Sequence, residues 1–152
     1  MKDILSILLM LFVPGPVHFP AEVTDVLDAR NIRYEIVKNI DDKNAVKGFY
    51  RFSDGVILFD DSAVSSTFLF SYIAAHEMIH KIRYEKGLWT GNRDLEEAIA
   101  IVGADRAARA LGLPHIKTDI KRSLGAYGLK LSDFDKAKLE EEIEKTLGEI
   151  HE

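Results

Sequence analysis

The pentapeptide His76-Glu77-Met78-Ile79-His80, set inside a largely apolar segment over residues 67–87, constrains this chain more than any other stretch. If the segment is a helix, His76 and His80 sit one turn apart on one face, close enough for both imidazoles to hold a single metal ion. Glu77 lies about 100° further round. There its carboxylate reaches a metal-held water without becoming a ligand, the placement a general base needs. Met78, Ile79 and Ile82 point away from that face and are the side expected to pack on a core. The segment reads as a zinc-hydrolase helix.

The rest of the chain is compatible with such a helix. Its 152 residues fit one domain, large enough for a real core, and 47% hydrophobic with 30% charged residues is ordinary for a globular protein. A formal net charge of -5 gives no electrostatic footprint for nucleic acid, so none is expected as a partner. There is no cysteine. Disulfides and thiolate ligands are thereby excluded, and any metal must be held by His, Asp and Glu. Residues 4–13 are nearly all apolar but too few to span a bilayer as a helix, and they end at Pro14-Gly15-Pro16 rather than at a small-residue cleavage site. A short N-terminal helix followed by a linker to residue 20 is expected, with a membrane-surface anchor as the alternative. The overall expectation is a cytoplasmic protein that does not depend on a membrane.

Along the chain, residues 21–30 have helical spacing and Asn31 is a plausible left-handed stop. Residues 32–37 alternate as a half-buried strand. Residues 45–52 and 56–59 are joined by Ser53-Asp54-Gly55, a hairpin signal. Ser65 or Ser66 can cap the following metal helix, which closes on basic residues and Gly87. A second long helix is expected over residues 93–111, with Asn92 as N-cap and Gly112 as stop. Its many alanines, together with Gly103, let another helix approach closely. Residues 115–152 read as a helical tail broken near Gly125-Ala126-Tyr127-Gly128, with Ser132 capping a last amphipathic piece that carries Leu139, Ile143, Leu147 and Ile150.

A catalytic zinc needs a third protein ligand and keeps one position for water. The second helix offers Asp94, Glu96 and Glu97. Glu97 is preferred because small Ala100 and Ala104 share its face, whereas Glu96 backs onto Ile99; all three also suit a helix N-terminus as negative charges.

His76-Glu77-x-x-His80, followed by a helix carrying Glu97-x-x-Ala100, resembles the gluzincin clan of zinc metallopeptidases. Within that clan it is most similar to the compact ImmA/IrrE-like and minigluzincin domains, over residues 48–114. The resemblance implies an α+β fold: a small zincin-like domain with a short, mostly antiparallel sheet, the HExxH helix, a glutamate helix and C-terminal helices. It also implies a zinc cofactor on His76, His80 and Glu97, Glu77 as general base, and a peptide or protein substrate pairing with the edge strand over residues 56–59. Two departures stand out: Ile101 occupies the place where these proteins commonly carry a polar partner for a zinc histidine, and Ile79 replaces a frequent glycine. Such a partner would then come from Asp105 or a backbone carbonyl.

The expected activity is hydrolysis of peptide bonds, with the tail or the N-terminal run covering a latent site. The alternative is a zincin-fold regulatory or binding module with little peptidase activity. Tyr127, Arg106, Arg109 and His115 are oxyanion-stabilising candidates by residue type alone, and His18 and His151 are expected to be solvent-exposed.

Overall fold

Pro20 accepts the first helical hydrogen bonds of α1 (Ala21–Ala29), which buries Val23 and Leu27 and turns at Asn31, whose φ of 56° is a left-handed conformation that asparagine tolerates. In this computed structural model, residues 19–41 and 46–150 are described. The expected helix over residues 4–13, His18 and His151 lie outside them.

Three short strands follow: β1 (Tyr34–Val37), β2 (Gly48–Arg51) and β3 (Val56–Asp60). β2 and β3 form the expected hairpin, turning at Gly55 with φ of 74°. The sheet is mixed rather than mostly antiparallel, because β1 pairs with β3 in parallel. β3 is therefore the central strand, and the edge beside the helices is β2, not residues 56–59. The physical reason is visible in the pattern: Val56-Ile57-Leu58-Phe59 is continuously apolar, with Ile57 and Phe59 fully buried in the core, as suits a strand paired on both sides.

Ser66, rather than Ser65, caps α2 (Thr67–Glu85) by accepting a hydrogen bond from the Leu69 amide. Asn92 caps α3 (Arg93–Leu111) in the same way, and Gly112 ends it at φ of 85°. No two elements of the fold touch more extensively than α2 and α3. Ala100, Ala104, Ala107 and Ala108 are fully buried along α3, and a Cβ at Gly103 would lie 3.4 Å from Ile79 of α2 and from Ile143 of the last helix. The small residues set the spacing.

The tail departs from expectation in its boundaries. α4 spans only Ile120–Ala126 and is capped by Asp119; residues 116–119 form no helix, and Thr118 is tied to Asp105 through its amide and hydroxyl. The final helix, α5 (Lys136–Gly148), is capped by Asp135, while Ser132 sits in the preceding 3-10 turn (Leu131–Asp133). Asparagine, serine and aspartate all cap well, so the choice among neighbouring polar residues falls to where the chain turns. α5 packs on α3 and α2 with Leu139 and Ile143 buried, so it is part of the core and not a cover. No helix among the described residues is long and apolar enough to cross a membrane.

One charged group lies at the centre of the helical layer. Arg83 is fully buried and donates to Glu96 at 2.6 and 2.9 Å, to Glu142 at 3.0 Å, to Thr146 at 3.1 Å and to the Leu88 carbonyl at 2.8 Å. It joins α2, α3 and α5. Replacing Arg83 by Leu leaves Glu96 buried without its counter-charge, and denaturant unfolding should show a loss of about 3–5 kcal/mol. Burial pushes the Glu142 carboxyl up, but Lys145, Arg83 and Lys138 outweigh it and hold the pKa near about 2, below the ordinary 4.5. The stabilisation is therefore complete above pH 4.5 and is lost as pH falls toward 2. In acid titrations monitored by circular dichroism, Glu142→Gln should flatten this part of the stability curve.

Candidate metal centre

α2 presents His76 and His80 on successive turns, their ring centroids 4.9 Å apart, and both are nearly fully buried. α3 brings Glu97 across from the neighbouring helix. Its Oε2 lies 3.1 Å from His76 Nε2 and its Oε1 lies 3.0 Å from His80 Nε2. One donor atom from each of the three residues falls within 4.8 Å of the others. That spacing suits three ligands of one cation. His80 Nε2 is buried and makes no well-aligned hydrogen bond, so the donor set has an aimed, unsatisfied nitrogen of the kind a metal would use. The residues therefore fit a zinc-type ion, though the donor set by itself does not select zinc.

The electrostatics agree with this arrangement. Burial pushes the Glu97 carboxyl up, but the two imidazoles against it prevail and hold it well below the usual carboxylate range. Burial pushes His76 down, and the charges and hydrogen bond of Glu97 and Glu77 reverse that, leaving it raised.

Among the three acids considered from the sequence, the geometry separates their roles. Glu96 is fully buried on the Arg83 side, where it also accepts from the Thr90 amide and hydroxyl. Asp94 is exposed in the first turn. Only Glu97 meets the histidines. The expected polar support behind the imidazoles is absent among the described residues: Ile101 is buried and apolar, Asp105 is committed to Thr118, and neither His76 Nδ1 nor His80 Nδ1 has a hydrogen-bond partner.

Glu77 is held by the edge strand. Its Oε1 accepts from the Tyr50 amide at 3.0 Å, and its Oε2 lies 4.0 Å from His76 Nε2. Gly48 makes this approach possible, because a Cβ there would come within 2.2 Å of Ile73 and 3.3 Å of the Glu77 side chain. A glycine in a strand is a sequence signal of close approach, and Gly48 carries it.

The cleft over these groups has two lobes, of about 470 and 360 Å³, which share Val46, Gly48, Glu77 and Tyr127. One lies toward His80, Phe52 and Trp89; the other lies toward His76, Tyr72 and Ser123. Of the oxyanion candidates, only Tyr127 is here, its ring stacked 6.5 Å from His76. Arg106 pairs with Glu140 on α5, while Arg109 and His115 are exposed and line neither lobe. Burial, then the Glu97 and Glu77 carboxylates, push the Tyr127 hydroxyl well above its ordinary value. Tyr72 is pushed up to about 12, chiefly by burial. Both phenols are thus proton donors at neutral pH. Tyr72 carried no sequence motif that marked it.

No protein-family model matches the chain, no curated protein matches it in sequence, and no solved structure matches it.

Elemental analysis of protein dialysed against zinc should give near one ion per chain, falling clearly in Glu97→Ala. Gly48→Ala should cost about 1–3 kcal/mol by overpacking, and it should displace the strand that holds Glu77.

Proposed function

We propose that this protein is a zinc-dependent hydrolase of peptide bonds, a zinc metallopeptidase of gluzincin type. The observation that carries the reading is Glu77, a carboxylate beside the three-residue donor set but outside it, oriented by a backbone amide of an edge strand. A site that only had to hold an ion would gain nothing from such a group. Zinc held by His76, His80 and Glu97 would supply Lewis-acid polarisation of a carbonyl and a more acidic water.

The chain's own groups supply the rest. The ladder turns the backbone of Phe49 and Arg51 toward β3; on the other edge of β2 the Tyr50 amide is given to Glu77, which leaves the Tyr50 carbonyl and the Gly48 backbone to pair. An extended peptide can add there as a further strand. With Oε1 tied to Tyr50, Glu77 uses Oε2 to take a proton from the attacking water and passes it to the leaving amine. The Tyr127 hydroxyl, kept protonated by its surroundings, donates to the oxygen on which negative charge develops. Tyr72 lines the same wall.

A second reading has one observation in its favour. Neither ligating imidazole is braced at Nδ1 by a protein group, and such bracing usually tunes a catalytic metal. On that reading the chain is a regulatory or binding module that keeps the site without hydrolysis. Of the helical tail, α5 packs on α2 and α3, whereas Ser123, Ala126 and Tyr127 line the cleft.

Glu77→Gln separates the two readings. Hydrolysis of a casein-type substrate should fall at least about a hundredfold while zinc content stays near one per chain. Wild-type protein that is fully loaded yet inert would leave the binding module. Tyr127→Phe should lower kcat by roughly tenfold to a hundredfold with KM little changed, as expected for a hydrogen bond made mainly in the transition state.

A further inference from the structure

Beyond His80 the cleft opens onto a group of aromatic rings that the metal site does not require. Phe52 lies 5.1 Å from Tyr50, 4.7 Å from Tyr84 and 5.2 Å from Trp89, in each case edge to face. Trp89 in turn sits 5.7 Å from the His80 imidazole. Tyr50 is buried, whereas Phe52 is 42% and Tyr84 47% exposed. Two large rings left open to water beside a cleft, Phe52 and Tyr84, mark a surface that something apolar covers. The rings pack on one another rather than around a hole, so they form a platform and not a cage for a cation.

The platform is continuous with the reactive groups. Phe52 and Trp89 line the same lobe as Glu77, His80 and Glu97, while the opposite lobe has Leu69, Tyr72 and Ile73 with Lys47 and Ser123. The packed ring cluster therefore lies on the His80 half of the cleft. β2 runs from Gly48 toward Phe52, and Tyr50 between them is bonded to Glu77. A peptide that pairs antiparallel with β2, the more stable pairing, enters at Phe52 and leaves at Gly48. Its residues before the reacting carbonyl then lie over the rings.

We propose that the Phe52, Tyr84 and Trp89 platform selects the substrate by seating a bulky apolar side chain on the N-terminal side of the bond that is cut. This rests on the proposal that the cleft receives an extended peptide. Burying one large side chain there, rather than an alanine, tightens binding by about tenfold or more.

Trp89 is the single tryptophan of the chain, so its emission reports occupancy of the platform directly. The experiment uses full-length, zinc-loaded Glu77→Gln protein, titrated with acetylated, amidated hexa-alanine and with the same peptide carrying one phenylalanine at each position in turn. Phenylalanine at one position should tighten binding about tenfold and shift Trp89 emission. Adding Phe52→Ala, or separately Tyr84→Ala, should remove that preference while zinc content and circular dichroism are unchanged. A preference at every position alike, no preference, or one that survives both variants overturns the proposal. Protein with Glu77 intact should then cut the selected peptide on the C-terminal side of the phenylalanine; cutting only before it overturns the orientation. Selective binding with no cutting by the intact protein would defeat the peptidase reading and leave the platform standing.

Discussion

Glu97 reaches the two imidazoles only because α3 lies against α2 at the spacing that alanine and glycine permit. A carboxylate side chain is short, and its oxygens sit about 3 Å from both Nε2 atoms, so an added side chain between the helices would pull the third donor out of range. Rotation of α3 matters as much as distance. The buried Arg83 fixes it by clasping Glu96, the residue immediately before Glu97, which forces adjacent carboxylates to opposite tasks. One is structural and the other meets the histidines. Because Glu142 and Thr146 also bind Arg83, the last helix contributes to the geometry of a site it never touches.

The edge of the sheet is placed by a comparable economy of bulk. β2 approaches α2 through Gly48, and the Tyr50 amide then orients Glu77. In the proposed function the remaining groups of that edge pair with an extended chain, so the strand that orients Glu77 would also align the substrate. On either side of this line the walls differ, with Phe52 and Trp89 toward His80 and Leu69, Tyr72 and Ile73 toward His76. Such asymmetry gives a peptide a direction.

Local signals in the sequence carried much of the site. The i, i+4 spacing of His76 and His80, the offset of Glu77, the caps at Ser66 and Asn92 and the stop at Gly112 all follow from helix geometry over a few residues. The preference for Glu97 over Glu96 was also legible, since it depended only on which face of one helix carries small residues. Non-local pairings were not legible. The sequence shows the hairpin, yet whether β1 joins β3 or β2, and in which direction, depends on contacts between segments far apart in the chain. Position 101 and Asp105 illustrate the same limit, because a residue's distance along a helix says where it points but not what meets it.

By itself, then, the amino-acid order determined the hairpin and the two long helices, the shared face of the two histidines, the offset of Glu77 and a short list for the third donor, because backbone periodicity is a local property. Tertiary structure decided which acid joined the histidines, which strand became the edge, that Tyr127 rather than Arg106, Arg109 or His115 faces the cleft, and that four rings assemble beside His80. Each of those outcomes depends on close packing between distant segments. Packing is settled by the shapes of both partners at once.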